Sequence, residues 1–391
     1  MTIKSALAKT DLKDKRVFLR ADLNVPLDNG VILSDVRLNA IKPTLNMILE
    51  KGGKIILATH IGRPQEFDRQ LSTKNLLGWF KKNGYSIILE SNLSNAYEKS
   101  FLDNKTIVLL ENLRFFPEEK NGDPAFAQQL AKLGDFYIND AFGVMHRTHS
   151  SVFIVPTYFS KEKRIFGPLV EQELIHADKL QNPEHPFSLI IGGNKGLEKI
   201  PLISCLLPKI DTLLVCPALA YNFLQVEENS NGTTLVDEQS FTSCKKLLAQ
   251  AKKLDIQILM PVDYIISKNN SKPFAGPFIV KKANELIKSD FCVSIGPETQ
   301  KNYGRVILQS KTIFYNGLMG DIHFPESLEG IDSLFKAMER SKGYSIVAGG
   351  DSTAAVKILG HLESVNYLST GGGALLAYLC NQKLPALEIL I

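Results

Sequence analysis

Residues 16–26 read RVFLRADLNVP, an apolar run that ends in a cluster of polar side chains. Three later runs end in the same way, in ATHIGRP at 58–64, LLENLRF at 109–115 and NDAFGVMHRTHSS at 139–151. Short apolar runs that are rich in β-branched and aromatic residues predict buried strands. In an open α/β sheet, ligands bind beyond the carboxyl ends of the strands, so these segments predict a binding site along one edge of a sheet.

Strands and helices alternate along the whole chain, which predicts a Rossmann-like α/β fold with mostly parallel sheets and helices on both faces. In the first half, the predicted strands are 16–22, 54–60, 85–90, 106–112, 136–141 and 151–155, and the predicted helices include 36–51, 73–83 and 124–133. In the second half, the predicted strands are 187–191, 212–216, 256–261, 291–295, 312–315, 344–347 and 367–369.

The length of 391 residues exceeds what a single hydrophobic core usually supports, so two domains are expected. A charged amphipathic stretch at 170–180, followed by NPEHP at 182–186, predicts a helix and then a break in the chain. We therefore expect an N-terminal domain at 1–167, an inter-domain helix and hinge at 168–186, a C-terminal domain at 187–373 and a final segment at 374–391.

The composition is that of a soluble globular protein, with 44% hydrophobic and 22% charged residues. The net charge of +4 is too small to indicate a nucleic-acid or membrane-surface partner. Residues 1–15 lack the apolar core of a signal peptide, and no window resembles a membrane span, so a cytoplasmic protein is expected. The five cysteines lie far apart without a C-x-x-C pair, which predicts reduced side chains rather than a disulfide framework or a zinc site.

Arginines and glycines are unevenly distributed between the two halves. Eight of the ten arginines fall in the first 164 residues, and because guanidinium binds phosphate or carboxylate bidentately, they predict an anionic substrate there. The second half instead has glycines after apolar runs, at 192–193, 349–350 and 371–373, which bring backbone N–H groups close to nucleotide phosphates. His146 and His149 could indicate a metal site, but no cysteine or paired carboxylate accompanies them.

In order and spacing, the four strand-end segments resemble the phosphoglycerate kinase family, and the resemblance covers essentially the full chain. It implies reversible phosphoryl transfer between 1,3-bisphosphoglycerate and ADP in glycolysis, with Mg²⁺ bound as Mg-ADP or Mg-ATP. It implies that the N-terminal domain binds phosphoglycerate, that the C-terminal domain binds the nucleotide, and that the two close about the hinge at 168–186. It also implies a monomer whose segment 374–391 returns to pack on the N-terminal domain.

Carried over position by position, the resemblance implies three groups of site residues. The substrate-binding group is Asp22, Asn24, Arg37, His60, Arg63, Arg114 and Arg147. The catalytic group is Arg37, Lys195, Gly350 and Gly372. The nucleotide-binding group is Lys199, Asn316, His323, Gly349, Gly350, Asp351 and Ser352, with Asp351 as the metal ligand. No nucleophile is needed, because a loose phosphoryl-transfer transition state is stabilised by position and charge.

Four departures from the family pattern fall in the nucleotide half. Residues 216–220 read CPALA where the family has a glycine run, and Leu318 follows 315–317, YNG, where the family has Trp-Asn-Gly-Pro. His323 stands at the position of a ribose-binding glutamate, and Ser294 at that of an aspartate. An imidazole can bond a ribose hydroxyl but has no fixed negative charge, so the ribose contact should be weaker or differently arranged. The preferred purine nucleotide is left open.

Two other functions would make different demands on the sequence. A Rossmann-type dehydrogenase would need G-x-G-x-x-G after a first strand, and neither half contains it. A chain that kept the phosphoglycerate site but lost the base and ribose contacts could be a non-catalytic or regulatory phosphoglycerate-binding homologue. Lys195, Lys199 and Asp351 argue against that alternative, and binding of magnesium-nucleotide would discriminate between the two.

Overall fold

The computed structural model describes residues 6–101, 103–193, 196–220, 223, 238–268, 276–287 and 290–391. The chain folds into two compact units. The first unit contains Met1–Ile175 and Thr370–Ile391, and the second contains His176–Ser369. In the described residues, each unit is built around a six-stranded parallel sheet flanked by helices, which confirms the predicted α/β class.

The strands described in the first unit are β1 (Arg16–Ala21), β2 (Leu27–Asp28), β3 (Val31–Ile32), β4 (Lys54–Ala58), β5 (Ser86–Glu90), β6 (Thr106–Leu110), β7 (Phe136–Asp140) and β8 (Arg164–Phe166). The parallel sheet has the order β5-β6-β4-β1-β7-β8, and β2 pairs with β3 in a short antiparallel hairpin. Five of the six residues of β1 are buried, which explains why this strand is a continuous apolar run.

Helices and short turns connect these strands. The α-helices are α1 (Val36–Glu50), α2 (Leu77–Lys82), α3 (Leu93–Lys99), α4 (Pro117–Asn121) and α5 (Pro124–Ala131). Helix α6 (Pro168–Gln181) follows β8, and the boundary between the two units, after Ile175, falls within it. Turns of 3₁₀ helix occur at Ala6–Lys9, Arg69–Leu71, Thr73–Leu76, Leu113–Phe115, Phe142–Val144, Val155–Tyr158 and Lys161–Lys163. The helix predicted at 73–83 is therefore a 3₁₀ turn followed by the short helix α2.

The strand predicted at 151–155 is wrong. Ser150–Ile154 form a π-helix, and the strand that completes the sheet is β8. The physical reason is a set of hydrogen bonds to a distant segment: Ser150 Oγ donates to the carbonyl oxygen of Glu118 at 2.8 Å, and Ser151 N donates to Glu119 Oε2 at 2.9 Å. These bonds outweigh the β-propensity of the local sequence.

The strands described in the second unit are β9 (Phe187–Ile191), β10 (Thr212–Val215), β11 (Gln257–Leu259), β12 (Asp263–Ser267), β13 (Phe278–Lys282), β14 (Phe291–Ile295), β15 (Thr312–Asn316), β16 (Tyr344–Ala348) and β17 (Tyr367–Ser369). The parallel sheet has the order β11-β10-β9-β15-β16-β17. The predicted strand 291–295 exists as β14, but it lies in a separate antiparallel sheet of order β13-β12-β14.

The helices described in the second unit are α7 (Ile200–Leu206), α8 (Glu238–Lys253), α9 (Pro297–Gln309), α10 (Glu329–Arg340) and α11 (Gly350–Ile358). Turns of 3₁₀ helix occur at Gly196–Lys199, Leu207–Lys209, Ala283–Glu285, Pro325–Leu328 and Leu362–Ser364. The C-terminal part of the first unit adds α12 (Gly372–Leu379) and α13 (Pro385–Glu388). There, Ala386 N donates to the carbonyl oxygen of Met145 at 3.2 Å, which ties α13 to the segment after β7.

Among the described residues, no helix is both long enough and apolar enough to cross a membrane.

Cys216, Cys244 and Cys292 are free thiols, as predicted, and burial raises the pKa of Cys244 to about 11. The prediction that all five cysteines are reduced is confirmed for these three and wrong for Cys205 and Cys380.

Candidate active site

The candidate substrate residues lie at the carboxyl ends of β6, β4, β1 and β7, which are consecutive in the sheet of the first unit. Because carboxyl ends of parallel strands meet at one edge, distant parts of the sequence converge there. Asp22 and Asn24 follow β1, His60 and Arg63 follow β4, Arg114 follows β6, Arg147 follows β7, and Arg37 lies in the first turn of α1.

Asp22 and Arg37 form an ion pair at this edge. Burial alone would raise the pKa of the Asp22 carboxyl, but Arg37 and, to a lesser extent, Arg20 hold the pKa below its ordinary value of 3.8. The carboxylate therefore stays ionised and orients the guanidinium. Gly143 packs closely against this ion pair, since a Cβ at residue 143 would stand 2.5 Å from Asp22 Oδ2 and 3.4 Å from Arg37 Nη1.

His60 is only 2% exposed. Burial holds the pKa of its imidazole well below 6.5, with Asp22 opposing this shift and Arg20 and Arg114 adding to it. The ring is therefore neutral near pH 7. Its Nε2 atom lies 4.0 Å from Asp22 Oδ1, and its Nδ1 atom lies 3.2 Å from Arg20 Nη2. Arg20 is not among the residues predicted for the site, although its position two residues before Asp22 places both side chains on one face of an extended segment.

Asn24 and Arg114 hold the loop that follows β4. Asn24 Oδ1 accepts a hydrogen bond from Gly62 N at 2.8 Å, and Arg114 Nη1 donates to the carbonyl oxygen of Gly62. Gly62 has φ +63°, and a Cβ there would stand 2.8 Å from a methyl group of Leu71, so the turn requires glycine. Burial and the neighbouring Arg20 lower the pKa of Arg114 to about 10, which leaves its guanidinium charged at neutral pH.

The arginines at this edge of the first sheet form a cationic cluster of Arg20, Arg37, Arg63, Arg114 and Arg147. Within it, Arg63 and Arg147 are exposed. Arg63 interacts electrostatically with Arg114, and Arg147 with His146 and His149. Burial lowers the pKa of both histidines to about 4, helped by Arg147 at His146 and by Arg20 and Arg114 at His149. Across the described ranges, no three His, Cys, Asp or Glu residues form a group that could hold a metal ion.

The segment 370–373 lies beside the same cluster in the first unit. Gly372 starts α12 with φ +48°, and a Cβ on it would stand 4.0 Å from Arg37 Nη2. The buried Glu173 accepts hydrogen bonds from Thr370 N and Oγ1 at 2.6 and 2.7 Å. Arg37 and Gly372, two of the predicted catalytic residues, are thus close together.

The candidate nucleotide residues of the second unit line a cleft at the carboxyl ends of β9, β15 and β16. Its volume is about 580 Å³, and its walls are Gly193, Glu198, Lys199, Gly317, Leu318, Gly320, Asp321, Ile322, His323, Gly349, Gly350, Asp351 and Ser352. The cleft thus collects every predicted nucleotide residue except Asn316, which lies at the end of β15 and is 4% exposed. A cleft of this size can hold a small-molecule ligand.

Lys199 is held in place by Asn316. Its Nζ donates to Asn316 Oδ1 at 2.6 Å, and Asn316 Nδ2 in turn donates to the carbonyl oxygen of Ala348 at 3.0 Å. Burial lowers the pKa of the Lys199 ammonium below 10.5, with Glu198 opposing the shift. Lys195 lies outside the described residues, so its place beside Lys199 stays a prediction.

Glycine backbones meet at one wall of the cleft. Gly192 and Gly317 approach so closely that a Cβ on either would collide with the carbonyl oxygen of the other. Gly317 has φ +106° and donates its N–H to Ser352 Oγ at 3.2 Å. Ser352 is 1% exposed, so its hydroxyl supports the wall of the cleft.

The turn from β16 into α11 supplies free backbone N–H groups and one carboxylate. Gly349 has φ +107° and precedes the first turn of α11, whose N–H groups lack intrahelical partners. Asp351 is exposed on the cleft wall in that same turn. A hard carboxylate oxygen beside phosphate-binding N–H groups suits Mg²⁺ bound through phosphate oxygens.

The departures from the family pattern occupy different places. His323 and Leu318 line the cleft, and His323 N donates to Asp321 Oδ1 at 2.9 Å. Cys216 is 1% exposed and belongs to the core, where burial raises the pKa of its thiol strongly. Ser294 is fully buried on β14 and packs against Gly330, so the structure places it in the packing of the small antiparallel sheet.

Comparison with known proteins identifies the family. The model of the family described as phosphoglycerate kinase matches residues 7–382. The phosphoglycerate kinases of Dictyoglomus turgidum and Clostridium botulinum (strain Hall) are 37% and 35% identical to this chain, over 98% and 99% of its length and 97% and 98% of their own.

Solved structures give the same result. The structure of phosphoglycerate kinase from Coxiella burnetii matches with a TM-score of 0.78 at 30% identity, and that from Pyrococcus horikoshii with a TM-score of 0.80 at 27% identity. Each match covers 98% of this chain and 97% of the other. The sequence, the fold and these relatives together show that the chain belongs to the phosphoglycerate kinase family.

Proposed function

We propose that this chain catalyses the reversible, Mg²⁺-dependent transfer of a phosphoryl group between 1,3-bisphosphoglycerate and ADP, the phosphoglycerate kinase reaction of glycolysis. The observation that carries the proposal is the cluster of guanidinium groups around the Asp22–Arg37 pair at the carboxyl ends of the first sheet. Bidentate donors suit the phosphate and carboxylate of a three-carbon acid, and a carboxylate such as Asp22 accepts from its hydroxyl.

In the first unit, the proposed substrate-binding residues are Asp22, Asn24, Arg37, His60, Arg63, Arg114 and Arg147. Their contacts support different roles for different residues. Asn24 and Arg114 both bond Gly62, so they also shape the loop that carries Arg63. Arg37 and Gly372 lie together, which supports roles for both beside the phosphoryl group that is transferred.

In the second unit, the proposed nucleotide-binding residues are Lys199, Asn316, His323, Gly349, Gly350, Asp351 and Ser352. Support comes from the cleft they form, from free N–H groups in the first turn of α11, and from the Lys199 ammonium that Asn316 orients. Asp351 is proposed to hold Mg²⁺, which when bound neutralises charge on the nucleotide phosphates. Lys195 is proposed to balance charge on the transferring group.

The proposed mechanism is direct in-line transfer without a phosphoenzyme. Arg37, Lys195 and the backbone N–H groups of Gly350 and Gly372 would stabilise charge on the transferred phosphoryl. Closure about the hinge predicted at 168–186 would bring the two substrates together and exclude water from the acyl phosphate. We also propose that the protein acts as a cytoplasmic monomer.

The test is steady-state turnover of purified protein with 3-phosphoglycerate and Mg²⁺, comparing ATP, GTP and ITP in a coupled assay. Turnover that prefers ATP would mean that the changes at 216–220, Leu318 and His323 still build an adenine-competent site. Turnover that prefers another purine would make those changes determinants of specificity. Absence of turnover with every nucleotide, while 3-phosphoglycerate still binds, would contradict the proposal. No observation favours the non-catalytic alternative.

A further inference from the structure

Arg20 is the most deeply buried arginine of the cationic cluster, at 1% exposure. Its guanidinium is fixed on three sides within the first unit. Nε donates to Ser151 Oγ at 2.8 Å, Nη1 donates to the carbonyl oxygen of Ala21, and Nη2 lies 3.2 Å from Nδ1 of His60. These three contacts hold the Arg20 guanidinium in one position.

The contact between Arg20 and His60 determines where the imidazole carries its proton. Guanidinium has only donors and no acceptor. The His60 Nδ1 atom must therefore accept, which it can do only when it carries no proton. A neutral imidazole with a bare Nδ1 has its proton on Nε2, the atom that faces the Asp22 side of the site at 4.0 Å from the carboxylate oxygen.

We infer that Arg20 is a positioning residue that fixes the proton of His60 on Nε2 and thereby makes Nε2–H a hydrogen-bond donor for the anionic substrate. The identity of that substrate rests on the proposed function. Arg20 itself is too deeply buried to be the main contact of the ligand, so it acts through His60. The role is distinct from that of the exposed Arg63 and Arg147.

The electrostatic surroundings of His60 agree with a neutral ring. The charged groups that face it are Asp22, Arg20, Arg114 and Arg37, and burial together with the three guanidiniums holds its pKa well below 6.5 despite Asp22. A cationic imidazole would place a proton on Nδ1 against the Arg20 guanidinium. His60 therefore supplies a donor to the site without adding another positive charge.

A buried brace holds Arg20 in this position. Glu119, 1% exposed, accepts hydrogen bonds from Ser151 N at 2.9 Å and Ser151 Oγ at 2.6 Å. Ser151 Oγ in turn accepts from Arg20 Nε. Burial raises the pKa of Glu119, an effect that Arg20 and the Ser151 bonds oppose. The π-helix at Ser150–Ile154 thus places the hydroxyl that orients Arg20.

The first experiment reads the tautomer directly. Protein labelled with ¹⁵N-histidine is examined by long-range ¹H–¹⁵N correlation between pH 5.5 and 8.5, and His60 is assigned among the seven histidines by its absence in His60→Gln. We expect a neutral Nε2–H ring across the whole range. A proton on Nδ1, or a mixture of tautomers, would overturn the inference whether or not the protein turns over 3-phosphoglycerate.

The second experiment removes the cause. In Arg20→Met, His60 should show both tautomers and titrate closer to pH 6.5, because a bound donor and a repelling charge are both lost. Ser151→Ala keeps Arg20 but removes its Nε acceptor, and should give a smaller shift in the same direction. An unchanged His60 spectrum in folded Arg20→Met refutes the role of Arg20. If Arg20→Met does not fold, an unchanged His60 spectrum in Ser151→Ala refutes it instead.

Kinetics supply the matched control. Loss of one hydrogen bond to a charged group predicts a rise in KM for 3-phosphoglycerate of about tenfold or more in Arg20→Met, with a smaller effect on kcat. Arg16→Met makes the same change at the other end of β1, where Arg16 pairs with Asp135 at 2.6 Å, and should leave KM unchanged. Equal effects of the two substitutions would contradict a specific role for Arg20.

Discussion

Gly143→Ala is the sharpest test of the substrate half of the site. A Cβ at residue 143 would stand 2.5 Å from Asp22 Oδ2, 3.1 Å from the carbonyl oxygen of Thr370 and 3.4 Å from Arg37 Nη1. Carbon and oxygen atoms pack at about 3.5 Å, so the Asp22 carboxylate must move by about 1 Å. The carboxylate cannot move without disturbing Arg37, because the two groups form an ion pair.

The expected magnitude follows from that displacement. A misplacement of about 1 Å in a positioned catalytic group costs on the order of 10²-fold in rate, so kcat/KM for 3-phosphoglycerate should fall by about that factor. Overpacking costs about 1–3 kcal/mol of stability. The folded protein should therefore survive the substitution with a lowered melting temperature while losing most of its activity.

The matched control is Gly78→Ala, in which the added methyl group meets nothing within 4 Å on the exposed helix α2. Alanine favours a helix over glycine by about 1 kcal/mol, so this variant should keep full activity and at least its original stability. Coupled-assay kinetics and thermal unfolding of both variants complete the measurement. Near-normal kcat/KM in folded Gly143→Ala would refute the account of the Asp22–Arg37 pair.

Four further outcomes are expected. Arg37→Ala should lower kcat by roughly 10³-fold, the scale of losing an arginine that stabilises a transferring phosphoryl, and near-normal turnover in the coupled assay would contradict its role. Gly317→Ala should weaken nucleotide binding in calorimetric titrations because its Cβ meets the backbone of the opposing strand end, whereas Gly304→Ala, with 3.8 Å to its nearest neighbour, should bind normally. His323→Glu should lower KM for ATP about 2- to 10-fold, the value of one added hydrogen bond, and an unchanged KM would exclude residue 323 from the ribose contact. Burial raises the pKa of Asp140 to about 7 from 3.8, so the folded state holds a proton that the unfolded state releases. The free energy of unfolding should therefore fall as the pH rises from about 4 to 7 and level off above that range. Denaturant titrations at several pH values should show that this free energy depends less steeply on pH in Asp140→Asn.

Local sequence predicted the parts of the fold whose causes are local. The strands β1, β4, β6 and β7 are apolar runs that need no partner to be recognised, and their polar ends are adjacent because parallel sheets align carboxyl ends. By contrast, residues 151–155 have strong β-propensity, and hydrogen bonds to Glu118 and Glu119, about 30 residues earlier in the chain, hold Ser150 and Ser151 in a π-helix instead.

The same distinction holds within the candidate site. Asp22, His60 and Arg114 could be selected because each ends a recognisable strand, whereas the contacts of Arg20 could not, since its partner Ser151 is 131 residues away. The antiparallel sheet was missed for a related reason. β13 has no fully buried residue and ends in two lysines, so its pairing with β12 depends on tertiary contacts rather than on an apolar run.

Guanidinium groups act on several pKa values at the edge of the first sheet. Burial is the main reason why the pKa of Arg114 falls to about 10 and those of His146 and His149 fall to about 4, and neighbouring guanidiniums add to each shift. The pKa of Asp22 is lowered despite burial, chiefly by Arg37. The cluster thus holds more positive charge than its own carboxylates balance. Neutral imidazoles, His60 among them, can then donate hydrogen bonds without adding to the repulsion, and the proposed substrate, with both a phosphate and a carboxylate, would supply the missing negative charge.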